Sequence, residues 1–275
     1  MNPLSLSVRI AEGFQSKKHP IIDLEAIASL AREASYDALC MRASQLGVQT
    51  SGKDTQEGIR ILDTKKLPVT MLTGDFDIVY NNKNGPDCLR NIRPYLELAK
   101  KLNTPLLRVA VKKEKDIQWA QKAADEAEKY ELKLAHQCHT QSLFETIEGI
   151  ESTLKKIERP NFGLIYEPAN LEICGQDYGA KTIERLSPWI MNVYLQNQIL
   201  NPDGAVTLNT WCRGPVPFDI TEIHEPTGID FPSIINGLKA VNYSGTITVH
   251  QCAPKGTTPS ESANTTSRYL RELIK

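Results

Sequence analysis

Eight times along this chain a short apolar or β-branched run is followed by a stretch with helical spacing, and few folds accept that alternation. The runs are Leu4–Arg9, Tyr36–Arg42, Pro68–Thr73, Pro105–Val109, Leu132–Gln137, Asn161–Glu167, Ile190–Gln196 and Gly245–His250. The intervening helices are expected at Asp23–Ala34, Thr55–Asp63, Pro86–Leu102, Lys113–Tyr130, Leu143–Ile157, Thr182–Leu186, Phe231–Val241 and Ser260–Ile274. Leu24, Ile27, Ala28 and Ala31 show the spacing of one buried helix face. Eight strand–helix units within 275 residues predict a single-domain α/β chain, a (β/α)8 barrel over residues 1–275. A doubly wound open sheet is the competing arrangement. It often carries a Gly-rich phosphate loop after the first strand, whereas here Ile10-Ala11-Glu12-Gly13-Phe14 follows.

Composition removes several function classes. With 40% apolar residues the chain has enough material for a core. Lys and Arg number 32 against 33 Asp and Glu, so no global field draws nucleic acid. No apolar run reaches a membrane-spanning length, and the N-terminus lacks the layout of a secretory leader, so a cytoplasmic location is expected. Six scattered cysteines without a CxxC pair predict free thiols rather than a disulfide framework. No Gly-x-Ser-x-Gly elbow and no HExxH motif occurs.

In such a barrel the reactive groups sit at the C-terminal strand ends. That rule selects Arg9 and Glu12, Arg42, Thr73, Arg108, Gln137 with His139, Glu167 with Asn170, Tyr194 with Gln196, and His250. Glu167 and His250 offer an oxygen and a nitrogen ligand suited to a divalent transition metal. Alternation along the fifth strand turns Gln137 and His139 inward and His136 toward the helices. Arg9, Arg42 and Arg108 on one rim suit a polar, anionic small ligand. The long segment Asn197–Thr227, with Trp211 and Arg213, reads as an elaborated loop that closes over the mouth as a pocket wall.

Four stretches carry a family resemblance: Lys133–Thr140 (KLAHQCHT), Pro160–Gly175 (PNFGLIYEPANLEICG), Gly228–Leu238 (GIDFPSIINGL) and Tyr243–Gln251 (YSGTITVHQ). Together they resemble the xylose isomerase-like TIM-barrel superfamily, the sugar phosphate isomerases and epimerases. The superfamily also includes abasic-site endonucleases, ketose 3-epimerases and inosose dehydratases. The resemblance implies one divalent ion (Mn, Mg, Zn or Co), held by Glu, Asp, His and Glu at the ends of strands five to eight. The matching positions here are Gln137, Glu167, Tyr194 or Gln196, and His250. The two carboxylates that normally act as acid and base are thus Gln and His, and an amide cannot abstract a carbon-bound proton.

The expectation is therefore a metal-dependent isomerase, epimerase or related lyase acting on a sugar or polyol derivative. Its metal set would be Gln137, Glu167, Gln196 and His250. His250 or His139, with Glu167, would move the proton next to a carbonyl. Arg9, Arg42, Arg108, Asn170, Trp211 and Arg213 would hold the substrate. A sugar-binding barrel that has lost its catalytic pair is the alternative. No nucleic-acid or membrane partner is expected, and the number of chains in the assembly is left open.

Overall fold

The computed structural model describes every residue except Met1 and Gln15. The strands, in chain order, are β1 (Leu4–Ser7), β2 (Ala38–Arg42), β3 (Val69–Thr73), β4 (Leu106–Arg108), β5 (Lys133–Gln137), β6 (Phe162–Tyr166), β7 (Ile190–Leu195), β8 (Gln198–Leu200), β9 (Val206–Thr210), β10 (Gly214–Ile220) and β11 (Ile247–Val249). β1 to β7 and β11 close into a barrel, with β11 pairing β1 and β7, all in parallel. The eight-fold alternation has its physical basis here: each parallel strand needs a crossover, and the helices cover the apolar outer face.

The barrel interior shows how period-two alternation builds a mouth. Cys40, Met71, Leu106, Ala135, Ile165 and Tyr194 form one buried cluster inside the strands. Two residues further along each of these strands stand Arg42, Thr73, Arg108, Gln137, Glu167 and Gln196. The same face that is apolar at mid-barrel is thus polar at the C-terminal end. His136, one residue out of phase, is buried on the other face of β5, edge-on to Phe144 of the following turn with centroids 4.5 Å apart.

Three expectations need correction. β1 ends at Ser7, and Val8–Ala11 forms a 3-10 turn whose cap, the Ser7 hydroxyl, accepts from Arg9 N. The stretch Pro86–Leu102 is two helices, Asp87–Arg90 and Arg93–Lys101, separated at Asn91 (φ −134°). Pro94 has no N–H to donate and fits only the first turn, so the second helix starts beside it. The segment Asn197–Thr227, expected as an elaborated loop, holds regular structure: β8, β10 and β9 form a three-stranded antiparallel sheet.

Candidate active site at the barrel mouth

The strand ends enclose a cavity of about 180 Å³. Arg9, Arg42, Arg108, Gln137, His139, Glu167, Asn170, Gln196 and His250 all line it, as their strand positions predict. The hairpin of β9 and β10 supplies a wall through Thr207, Leu208 and Asn209. Trp211 and Arg213 do not reach the mouth. Trp211 lines a neighbouring cleft. Arg213 Nη1 donates to the carbonyls of Glu172 and Ile173, 3.3 and 3.1 Å away, and so ties the hairpin to the helix Pro168–Ile173.

Arg42 is spent on its neighbours. Its Nε donates to Glu12 Oε1 at 3.0 Å and its Nη2 lies 2.9 Å from Glu12 Oε2. Its Nη1 stands 3.1 Å from His250 Nε2. A guanidinium can only donate, so Nε2 must accept, and the ring proton sits on Nδ1, which faces Ser7 Oγ at 3.1 Å. The ring also stacks on Tyr194 at 3.8 Å and an interplanar angle of 5°. Burial, then the charges of Arg42, Arg9 and Arg108, hold the imidazole well below its ordinary range. His250 is a neutral spacer with neither ring nitrogen open.

His139 is fixed by the same logic. Asn81 Nδ2 donates to the Thr140 carbonyl at 2.8 Å, which sets the amide's orientation. The same Nδ2 lies 2.9 Å from His139 Nδ1, which therefore accepts, placing the ring proton on Nε2. The basic lone pairs of both imidazoles are occupied. The expectation that either one is the base is corrected by these contacts.

Glu167 leaves β6 in extended conformation (φ −136°, ψ 102°), because Pro168 begins the next helix. Its Oε2 accepts from Gln137 Nε2 and from Asn170 Nδ2, the latter at 2.6 Å. Asn170 also donates to the Cys138 carbonyl at 2.8 Å, so it positions the carboxylate rather than awaiting substrate. Both side-chain bonds fall on Oε2, leaving Oε1 as the oxygen free to react. Burial raises the Glu167 carboxyl to about 7, against the Gln137 hydrogen bond and the charge of Arg108.

Arg108 differs from Arg42. It is 3% exposed, lines the cavity, and its Nε has no hydrogen-bond partner. Among the described residues it forms no ion pair. Burial lowers its pKa. Arg9 Nη1 reaches only the far oxygen of Glu12, at 3.8 Å, and its Nε is also unpartnered. Lys17 is a mouth residue that sequence reasoning missed. Its Nζ lies 5.5 Å from the Phe14 ring centroid and 5.4 Å from that of Tyr80, and burial, with the nearby arginines, pushes it down to about 6. Only the Lys17-Lys18 pair after the first strand could have drawn attention to it.

This donor set does not fit a divalent ion. Gln137 is neutral, Glu167 Oε2 is taken by two amides, and His250 is taken by Arg42 and Ser7. Gln196 Nε2 is 3.5 Å from Gln198 Oε1, and Tyr194 lies below the site as part of the barrel filling. The three buried guanidinium groups of Arg9, Arg42 and Arg108 would repel the ion. Among the described residues, three close His, Cys, Asp or Glu ligand atoms occur only at Glu145, Cys174 and Cys212, away from the mouth.

A profile described as xylose isomerase-like TIM barrel matches residues 28–273. A search of curated proteins finds no match. Among solved structures, the chain is similar to the probable 3-DHS dehydratase AsbF of Bacillus anthracis, with a TM-score of 0.73 and 15% identity over 98% of this chain and 99% of that one. It is similar to a D-allulose 3-epimerase from Methylomonas sp., with a TM-score of 0.71 and 14% identity over 99% and 98%. A xylose isomerase-like TIM-barrel protein from Mycobacterium smegmatis, solved in complex with magnesium, has a TM-score of 0.71 and 12% identity over 100% and 97%. At these identities the likeness extends to the fold.

Proposed function

Because the chain belongs to the xylose isomerase-like TIM-barrel family, we propose that it acts on a small anionic sugar or polyol derivative by metal-independent proton transfer next to a carbonyl, with Glu167 as the base. The observation that carries this reading is Arg108. A buried guanidinium without a partner is costly, and the cost is offset when an anion binds. Arg108, helped by Arg9, would take the substrate's carboxylate or developing enolate oxygen. A carboxyl near 7 is matched to proton transfer at neutral pH.

The steps use this chain's own residues. Glu167 Oε1 removes the proton from the carbon beside the carbonyl, and the electron pair moves onto the carbonyl oxygen, which Arg108 faces. The hydroxyl proton on that carbon passes to the former carbonyl oxygen across the cis enediolate, and the protonated carboxyl returns its proton to the former carbonyl carbon on the same face. One base working from one side supports isomerisation through an enediolate more readily than two-sided epimerisation.

The test is proton–deuterium exchange into a panel of sugar acids, followed by NMR with chelator-treated protein. Wild type should exchange the proton next to the carbonyl, and Glu167→Gln should not. Exchange that vanishes on chelation and returns with Mn2+ would overturn the reading. Binding without exchange across the panel would favour a sugar-binding barrel.

A further inference from the structure

Beside the mouth lies a second cleft of about 300 Å³, which shares Asn81 and Gln141 with it. Its lining includes Lys83, Arg90, Lys112, Lys113, Lys115 and Trp211. The acids there, Asp87 and Asp116, both pair with Arg90, at 3.2 and 2.9 Å. Among the described residues none of the four lysines forms an ion pair. Glu145 and Asp116 offset part of the charge of Lys112, and the cleft still carries a positive excess.

Two features set this cleft apart from a solvated basic surface. Lys112 is only 7% exposed, and its ammonium has one bond, to the Gln141 carbonyl at 3.0 Å, leaving two donors. Its backbone is held: Asp116 Oδ2 accepts from Lys112 N and Lys113 N at 3.1 and 2.9 Å. Burying a lysine is expensive unless its charge has a use. Burial pushes it down to about 8.

The second feature is Trp211, 55% exposed on a backbone that is held. The buried Glu145 carboxylate accepts from Trp211 N at 2.8 Å and from Cys212 N at 3.0 Å. An apolar ring on an anchored backbone at a basic rim offers a stacking surface, and indole is the best of the side chains for it.

We propose that this cleft is a binding subsite for a ring-bearing phosphate, the anion held by Lys112 and its neighbouring lysines and the ring lying against Trp211. The cleft adjoins the mouth across Asn81 and Gln141, so its occupant would be the distal part of a ligand whose reacting end faces Glu167. That continuity rests on the function proposed above; binding in the cleft does not.

The probe is phenyl phosphate, titrated by calorimetry against the full chain, with inorganic phosphate and benzyl alcohol as controls. Phenyl phosphate should bind at least tenfold more tightly than either control. Trp211→Ala should bring it to the level of inorganic phosphate. The exposed pair Lys113→Glu and Lys115→Glu should weaken both phosphates tenfold or more, and Lys112→Met should do the same if the variant folds. With Arg108→Met, which removes the anion site of the mouth, phenyl phosphate should keep its tenfold preference over both controls, which separates the two sites. Equal affinities for phenyl phosphate and inorganic phosphate would overturn the stacking role. Phenyl phosphate binding that survives the lysine changes, or that disappears with Arg108→Met, would place the ligand in the mouth and sink the proposal.

Discussion

Arg42 Nη1 stands 3.1 Å from His250 Nε2, and this single contact fixes the charge of the imidazole. Protonation would place two donors face to face inside the barrel. His250 is therefore expected to stay neutral, with its proton on Nδ1, across the range in which an ordinary histidine titrates. Nitrogen-15 shifts of the ring should not move between about pH 5 and 8. A titration near the ordinary value would show that the Arg42 contact does not hold in solution. The stability consequence has a definite sign. The unfolded ring takes up a proton below about 6.5 and the folded one does not, so acidification through that range favours unfolding.

Arg108 should show a trade between stability and function. Arg108→Met removes a buried charge that forms no ion pair among the described residues, and keeps the apolar stem. Stability is expected to rise by about 1–4 kcal/mol, while affinity for any anionic substrate falls at least a hundredfold. Thermal unfolding and ligand titration of the same variant decide it. A destabilised variant would mean that Arg108 has a protein partner in solution.

Glu167 gives a pH dependence opposite in sign to that of the histidines. Its folded pKa of about 7 lies above the ordinary carboxyl value of 4.5. Between those values the folded state holds the proton more tightly, so its contribution to stability is fully present below 4.5 and is lost as pH rises to about 7. The span corresponds to roughly 3 kcal/mol. Because buried histidines act in the overlapping range, the quantity to measure is the difference between wild type and Glu167→Gln. That difference should favour wild type most at low pH. Turnover should follow the reverse course, falling as the carboxyl protonates below about 7. A turnover profile flat down to pH 5 would remove Glu167 as the base.

Chelation should leave the mouth unaffected. Treatment with EDTA is expected to change neither the unfolding temperature nor proton exchange in a substrate. Added Mn2+ or Zn2+ should not compete with an anionic ligand for Arg108. A loss of exchange on chelation, restored by one equivalent of metal, would show that Gln137 and Glu167 rearrange to bind an ion.

Much of this molecule is legible from period and position. Alternation along β2, β4, β5 and β6 places Arg42, Arg108, Gln137 and Glu167 at the mouth before any coordinates are known, because side chains two apart share a face. What alternation cannot tell is which neighbour each group meets. Arg42 and Arg108 look alike in sequence, yet Arg42 is tied to Glu12 and His250, while among the described residues Arg108 forms no ion pair and its Nε has no hydrogen-bond partner. The difference arises across strands far apart in the chain. The small sheet was hidden for another reason. Pro215 and Pro217 argue against a strand, but they pair only with Asn209 and Thr207 of β9, while β8 covers only Phe218–Ile220 of β10. The prolines sit where one side of β10 has no partner strand, and their missing N–H groups cost little there.

One buried carboxylate holds the tip of the hairpin. Glu145 accepts from the backbone N–H groups of Gln141, Trp211 and Cys212, joining the segment after β5 to the turn between β9 and β10. Glu145→Ala would leave these donors to find water or to stay unpaired, at a cost of about 1–3 kcal/mol for each one that stays buried. The barrel strands do not depend on this carboxylate. Amide exchange should therefore rise at residues 206–216 and stay unchanged in β4 to β7. Thr207, Leu208 and Asn209 form one wall of the mouth, so anion affinity should fall as well, although no residue touching the ligand has been altered. Glu145→Gln, which keeps one acceptor oxygen, should fall between the two. Uniformly increased exchange throughout the barrel would instead make Glu145 a determinant of the whole fold, and unchanged exchange at the hairpin would show that the tip is held by Arg213 and the strand pairing alone.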